Sequence, residues 1–432
     1  MRRGIWALVT AAKNVALLGT ACVLLAGAPS AFAQGADGGA RNVSVRDRAK
    51  ALFAAQGVRA GTFLAYPSVE VYENYNSNVL ASETDEVSDY ASQLNFNFGL
   101  ESNWNTHRLG FQLGTASTFY QDSPKQDNTD VTAALSGRLD VSRSSYFTGD
   151  LNAGSLHESI AQSPTSENLA KPIEYDTAGV GVSYVHAFNR IRVSGIGRFD
   201  RNEYFDGELA DGTPIEQDQR DVEIARAGIR VDYSIGPATS LFLTATKNSY
   251  IHDGVQADPT LFRDSDGEEY LAGIRFDLTD LLVGEIGVGQ YAQHYDAAGI
   301  GSVERAAVRT KLEWYPDELL TVTLDVNREA TDSGVVGAAG ISRDSAAVRA
   351  DYEFRRNIIF GAGYQYTTDD YVGIDREDER QTYDITLDYI VDRQWSAYAA
   401  VTHYTQDSSG AATSRGRVFD VDQVTFGVRL RR

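Results

Sequence analysis

The sequence predicts an all-β protein, a transmembrane antiparallel up-and-down β-barrel of about 18 strands. Three observations carry this expectation. A unit of about 20 residues, an alternating apolar and polar run followed by a turn, repeats from Gly61 to Leu430. The turns alternate between short and long. Finally, the mature chain has no stretch of 18 apolar residues, which excludes a bundle of membrane helices. Charged residues make up 23% and hydrophobic ones 42%, which excludes a disordered acidic chain.

The first element is a leader. Arg2, Arg3 and Lys13 precede an apolar run over residues 15–26, then Pro29 and the triplet Ala31-Phe32-Ala33. A basic end, a short apolar run and an A-x-A site make residues 1–33 a secretory signal peptide. The run is too short for a membrane anchor. Cleavage after Ala33 removes three positive charges and no acids, taking the net charge from −21 to −24. The one cysteine, Cys22, lies in this run, and Gly19 stands where a lipoprotein signal would place Leu. The mature chain is then free of thiols, which suits an oxidising compartment.

Residues 34–60 form a periplasmic N-terminal segment. Arg46, Arg48 and Lys50 sit among apolar residues over 45–56, the pattern of a short amphipathic helix or a loose tail. The tail is favoured, because a lone helix of this length is marginal in water.

Residues 61–432 are the barrel. Leu94, Phe96, Phe98 and Leu100 alternate with Asn95, Asn97, Gly99 and Glu101; Val322 and Leu324 alternate with Thr323 and Asp325. Tyr383, Ile385, Leu387 and Tyr389 alternate with Asp384, Thr386 and Asp388. Period two gives strands with one apolar and one polar face. Short connections fall at 103–106, 142–145, 187–190, 235–238, 279–281, 315–318, 355–357 and 392–394. Long ones fall at 77–87, 121–127, 159–172, 206–220, 253–265, 296–301, 332–342, 372–378 and 407–418. Eight short and nine long connections join eighteen strands, with both termini on the short-turn side, as in outer-membrane barrels.

Aromatic positions suggest two interfacial girdles. Trp104, Trp314 and Trp395 lie beside short turns, and Tyr120, Tyr250, Tyr295 and Tyr404 lie near long loops. A soluble β-sandwich has no reason to sort its connection lengths or to keep a polar second face throughout.

The chemistry lies on that polar face. Predicted pore-lining residues are Arg192, Arg226, Arg230, Arg275, Arg305, Arg309, Lys311, Glu313, Asp325, Arg349, Asp351, Asp384 and Asp388. Each charge facing lipid at mid-depth would cost about 2–4 kcal/mol, so this face meets water. The arginines either line a hydrated path or pair with carboxylates such as Asp232 and Glu313 to brace the wall. No nucleophile motif accompanies the six histidines, so no catalytic site is expected. Asp264-x-Asp266-Gly267, followed by Glu268 and Glu269, lacks full calcium-loop spacing and reads as an acidic surface loop. No metal or cofactor is expected. Net acidity disfavours nucleic acid as a partner. The long loops carry 20 acids against seven basic residues, so lipopolysaccharide and outer-membrane lipid are expected partners, met through divalent cations.

The first hairpin resembles a known family. Arg59-Ala-Gly-Thr-Phe-Leu-Ala-Tyr-Pro-Ser-Val-Glu-Val opens it, followed by Tyr75-Asn-Ser-Asn-Val79, Asp85-Glu-Val-Ser-Asp89 and Gly99-Leu-Glu-Ser-Asn-Trp-Asn-Thr-His107. Together these words resemble the type 2 family of β-barrel porins of Gram-negative outer membranes, from about Arg59 to the C-terminus. The resemblance implies an outer-membrane pore, often one for exopolysaccharide export, with polysaccharide and periplasmic export components as partners. The end Leu430-Arg431-Arg432 departs from the terminal aromatic common in such barrels. A passive diffusion porin for small hydrophilic solutes, or a structural or adhesive barrel with a plugged lumen, stand as alternatives. A long segment folded inward would favour either of these; residues 159–172 and 206–220 are the longest loops, and neither reads as a plug. Oligomeric state is not legible, because an apolar wall serves lipid and subunit contacts alike.

Overall fold

The computed structural model describes residues 43–432, apart from 164–168, 253–262, 279–280, 298–299, 301 and 336. The predicted leader and its cleavage site lie outside the described residues. Eighteen long strands follow one another along the chain. They are β1 (Phe63–Asn76), β2 (Asp89–Ser102), β3 (Arg108–Tyr120), β4 (Asn128–Ser142), β5 (Ser145–Glu158) and β6 (Ile173–Phe188). Next come β7 (Ile191–Tyr204), β8 (Val222–Gly236), β9 (Thr239–His252), β10 (Ser265–Leu278), β11 (Leu282–Tyr295) and β12 (Ser302–Asp317). The last six are β13 (Leu320–Thr331), β14 (Gly340–Arg355), β15 (Ile358–Val372), β16 (Arg376–Ile390), β17 (Trp395–Gly410) and β18 (Phe419–Arg431). Each pairs antiparallel with the next, and β1 pairs with β18 (Val69 opposite Leu430) to close the barrel. Closure leaves no sheet edge, the condition for strands to cross lipid.

The short turns are tight because the strands bend into them. Register shifts between Asp140 and Ser142, Ser234 and Gly236, Trp314 and Asp317, and Glu353 and Arg355 all fall at such strand ends. An extra residue on one strand sharpens the local twist and ends the ladder. Two long-loop expectations are corrected. The loop expected at 372–378 is only residues 373–375, and the loop expected at 407–418 begins after Gly410. In both, the polar outer residues pair as strand, for example Glu377 opposite Asp370 and Ser409.

Which face is outer follows from reach. Arg230 on β8 bonds Glu285 on β11, across two intervening strands, and only the concave face allows such a contact. The opposite face holds the exposed apolar side chains, such as Ile229, Val231, Tyr233 and Ile235 on β8, or Phe426, Val428 and Leu430 on β18. Thr323 and Asp325 point inward and Val322 and Leu324 outward, since Val322 lies opposite the exposed Trp314.

The outer apolar band is shorter than the strands. On β18 it runs from Leu430 to Val424 and then meets Asp422 and Asp420; on β16 it runs from Tyr389 to Tyr383 and then meets Gln381 and Glu379. Seven residues, tilted by about 40°, span roughly 18 Å, within the height of about 25 Å of an outer-membrane apolar band. Strands of 12 to 16 residues therefore project above the bilayer. A charged collar marks the border on the outer face: Arg201 with Glu203 and Glu223 at 2.7 Å, and His403 with Asp422 at 2.7 Å.

The N-terminal segment differs from the favoured loose tail. Residues Val45–Leu52 form helix α1, capped by Ser44, whose hydroxyl accepts from the Asp47 N–H at 3.1 Å. It lies against the inner wall near the short-turn ends of β13–β16, with Val45 and Ala49 buried on Ile359 and Ile390. The wall supplies the packing that an isolated helix of eight residues lacks. Beyond it, Arg431 donates to the Phe53 carbonyl at 3.0 Å, and Val58–Ala60 pair with β1.

Candidate functional site: the lumen and its two ends

All thirteen predicted pore-lining residues share the inner face by strand parity, but their surroundings divide them. Arg230 is only 5% exposed at its side chain. It donates to Asp232 at 2.8 Å and Glu285 at 2.7 Å, and its guanidinium lies 4.0 Å over the Phe242 ring. This residue braces the wall and is not free to meet a solute. Arg226 is half-exposed, 3.6 Å from Asp200, with Nη2 donating to the Tyr250 hydroxyl at 3.1 Å. Arg309 reaches Glu269 at 3.2 Å and Glu329 at 4.0 Å, and Arg305 pairs with Asp370. Arg349 bridges Asp351 at 3.1 Å and Asp384 at 2.9 Å. Lys311 stands opposite Asp325, Arg275 opposite Glu285, and Arg192 opposite Asp232. Glu313 accepts from the Tyr315 hydroxyl at 2.6 Å, while Arg226, Arg230, Arg305 and Arg309 pair with other acids.

Toward the loop end the wall departs from a simple cylinder. The β11–β12 ladder continues to Ser302, but the β12–β13 ladder stops at Val308 opposite Arg328. The β13–β14 ladder, meanwhile, runs on to Thr331 opposite Ile341. Ser342 and Asp370 belong to the faces of β14 and β15 that, lower down, present Val348, Tyr352 and Phe360 outward. Here they meet the inner faces of β11 and β12. Tyr291 and Ser342 hydroxyls lie 2.8 Å apart, and Arg305 pairs with Asp370. The upper ends of β13–β15 therefore lie inside the wall formed by β11 and β12.

An apolar seat receives them. Phe242, Leu271, Tyr291 and Ala307 form a buried cluster on the inner face, and Ala330 of β13 packs on it. A side chain at Gly273 would run into the Phe242 ring, so glycine there lets the ring lie flat on the strand. Gly340, where the hairpin re-enters the sheet, likewise abuts the Tyr295 ring.

The loops lock the hairpin in place. Asp332 accepts from Arg263 at 2.9 Å, and its carboxylate lies 3.2 Å from His252 Nε2. Burial would raise its pKa, but the Arg263 charge and the His252 contact outweigh this and hold the carboxyl below its usual range. On the other side, the loops after β1, β5 and β7 meet the start of β18. Ala81, Ile160, Leu169, Ile173, Phe419 and Val421 form a buried cluster there. Arg417 is buried against it and donates to the carbonyls of Ile160 and Ser163, the latter at 3.1 Å; burial lowers its pKa. Gln126 donates to the Ala170 carbonyl at 2.8 Å, and Arg220 to Glu158 at 2.9 Å.

The expected outer girdle is corrected. Tyr120, Tyr250, Tyr295 and Tyr404 all fall on the inner face, opposite in parity to the exposed Phe119, Ile251, Val288 and Val401. Tyr250 packs with Val222 and Ile224, and Tyr404 packs against the loop cluster. Closeness to a loop in sequence does not decide facing; strand parity does. The outward aromatics at this end include Tyr75, its ring tilted against that of Tyr90 with centroids 5.2 Å apart, and Phe119. At the opposite end Trp104, Trp314 and Trp395 are exposed, the placement of an interfacial belt.

The stretch read as an acidic loop is corrected as well. Asp266 and Glu268 lie on the outer face of β10 and Gly267 and Glu269 on the inner, so they do not converge. Among the described residues no cluster of three metal-ligating side chains occurs.

No curated protein matches the chain. Solved structures of similar shape include the OccK2 (OpdF) protein of Pseudomonas aeruginosa, 13% identical, TM-score 0.47, covering 87% of this chain and 99% of that one. OccAB3 of Acinetobacter baumannii is 13% identical with TM-score 0.44, covering 86% and 100%. A variant of the ferric enterobactin receptor PfeA of Pseudomonas aeruginosa is 8% identical with TM-score 0.46, covering 85% and 80%. The family model described as "Putative beta-barrel porin 2" matches residues 50–432, the whole of the barrel and the last turn of the inner helix. This closed barrel, with its apolar outer band and charged lumen, belongs to that family of outer-membrane porins.

Proposed function

We propose that the protein is a passive diffusion porin for small hydrophilic solutes. The observation that carries this reading is the end of the β13–β14 hairpin, folded inside the wall and pinned by Tyr291–Ser342 and Arg263–Asp332. A constriction built from ordered strand and fixed ion pairs suits selection of small solutes by size and charge. Export of an exopolysaccharide, which the sequence resemblance implies, would require this hairpin and the interlocked loops to move aside together. The inward hairpin therefore favours diffusion over export.

Liposome swelling with sugars of increasing size tests the reading. The protein should admit monosaccharides and exclude longer oligosaccharides, and replacing residues 332–339 with a two-residue turn should raise the size limit. Failure to admit monosaccharides, or free passage of a long polysaccharide through the unaltered protein, would refute it. The reading includes a leader removed after Ala33, so N-terminal sequencing of the membrane-bound protein should find Gln34; finding Met1 would contradict it.

A further inference from the structure

We propose that α1 is a pore-resident selectivity element, whose two arginines neutralise an acidic patch of the lumen wall and so set the charge preference at the periplasmic mouth. The proposal rests on the diffusion reading for the ions it acts upon. The patch is built on the inner faces of β14 and β16, where Asp351 and Asp384 pair with Arg349, and Glu353 and Asp388 follow on the same faces toward the short turns. Four carboxylates there share one arginine of the wall. Helix α1 adds two more. Arg46 donates to Asp351 at 2.7 Å, to Asp388 at 3.0 Å and to the Thr386 hydroxyl at 3.2 Å. Arg48 donates to Glu353 at 2.7 Å and to the Glu318 carbonyl. The local balance moves from three excess negative charges to one.

The docking is specific in its other contacts. The Val45 N–H donates to the Thr321 hydroxyl at 3.0 Å, so the helix N-terminus is satisfied by the wall itself. Val45 and Ala49 face Ile359 and Ile390, whereas Lys50, on another side of the helix, is exposed and reaches only Asp47 at 3.3 Å. A helix this short keeps its form only while docked, so the arginines and the apolar contacts hold one another in place. The short strand after it, paired with β1, tethers the helix independently of the patch. Electrostatic effects reach about 8 Å at physiological salt, enough for these charges to act on ions sharing a narrow mouth.

The test uses the full mature protein in planar bilayers under a potassium chloride gradient. Two variants are compared with it: Arg46→Gln with Arg48→Gln, and deletion of residues 43–52. Both should shift the zero-current potential toward cations, with the cation-to-anion permeability ratio rising at least about threefold. The deletion should also raise conductance. Adding Asp351→Asn and Asp388→Asn to the deletion should return selectivity toward that of the unaltered protein. The mature protein, which has no native thiol, carrying Ala49→Cys and Ile359→Cys should form a crosslink on oxidation while leaving selectivity unchanged. Unchanged selectivity in both variants of a conducting barrel, or no crosslink, would overturn the proposal and leave the diffusion reading standing. No conductance in any form would instead overturn the diffusion reading, and this proposal with it.

Discussion

Replacing Arg230 by Met isolates the contribution of one buried charge to the wall. Met keeps an unbranched apolar stem beside the Phe242 ring, while the guanidinium, which lies 4.0 Å over that ring, is lost. The guanidinium makes charge-assisted contacts with Asp232 and Glu285, at 2.8 and 2.7 Å, each worth about 1.5–3 kcal/mol. The Asp232 side chain is 14% exposed and the Glu285 side chain 31%, so water recovers part of the loss, more at Glu285. Arg192 and Arg275, standing opposite these two acids, offset a further part. The expected destabilisation is about 3 kcal/mol, at the low end for breaking a buried ion pair. It can be read as the shift in a reversible urea unfolding curve of the protein in lipid vesicles, at constant slope. Adding Asp232→Asn and Glu285→Gln to Arg230→Met should recover more than half of the loss, because the stranded charges are then gone. A loss below about 1 kcal/mol would show that these residues are solvated in the lumen, and would refute the buried bracing inferred from the geometry.

Two further outcomes follow from facing and from the loop latch. Leu324→Arg, on the lipid side, should cost about 2–4 kcal/mol in the same assay, whereas Thr323→Arg, on the lumen side, should cost well under 1; equal losses would refute the register. Asp332 has a lowered folded pKa, so its stabilising contribution is complete above the usual Asp value of 3.8 and fades as pH falls through the lowered folded value. Protease cleavage at the hairpin tip should therefore rise on strong acidification in the unaltered protein. In Asp332→Asn, cleavage should be high already at neutral pH and respond little to acid; a matching acid response in both would contradict the latch.

The barrel was legible because its signal is local. Period-two alternation in runs such as Val424, Phe426, Val428 and Leu430 fixes strand and face together, and the short turns mark the ends. The inner-face arginines were legible for the same reason. The girdle tyrosines were misassigned because they were placed by distance from a loop; the alternation of Ile251 with Tyr250 carries the correct answer. Strand length was underestimated at Arg376–Asp378 and Asp407–Gly410, because polar outer residues look like loop when both faces lie above the membrane. The pairing of Arg230 with Asp232, two residues along the same strand, was legible, whereas its partner Glu285 and the Asp370 partner of Arg305 were not, since each lies three strands away and depends on wall curvature. The same holds for α1, whose stability comes from the wall and not from its own eight residues. The inward lean of β13–β15 has a faint trace in sequence, the apolar Phe242 and Leu271 on an otherwise polar face, but parity alone cannot say what covers them.

The most direct test of the account is a crosslink between Tyr291→Cys and Ser342→Cys with a short bismaleimide, in the mature protein, which has no native thiol. These positions sit on β11 and β14, which are not neighbours in the sheet, and their native hydroxyls lie 2.8 Å apart. Asn327→Cys with Ser345→Cys, directly opposite one another on β13 and β14, serves as the control. The account predicts that both pairs crosslink in the assembled barrel and that uptake of small sugars continues with the 291–342 link in place. A control pair that links while the 291–342 pair does not would place the hairpin in line with the wall, and would contradict the constricted lumen.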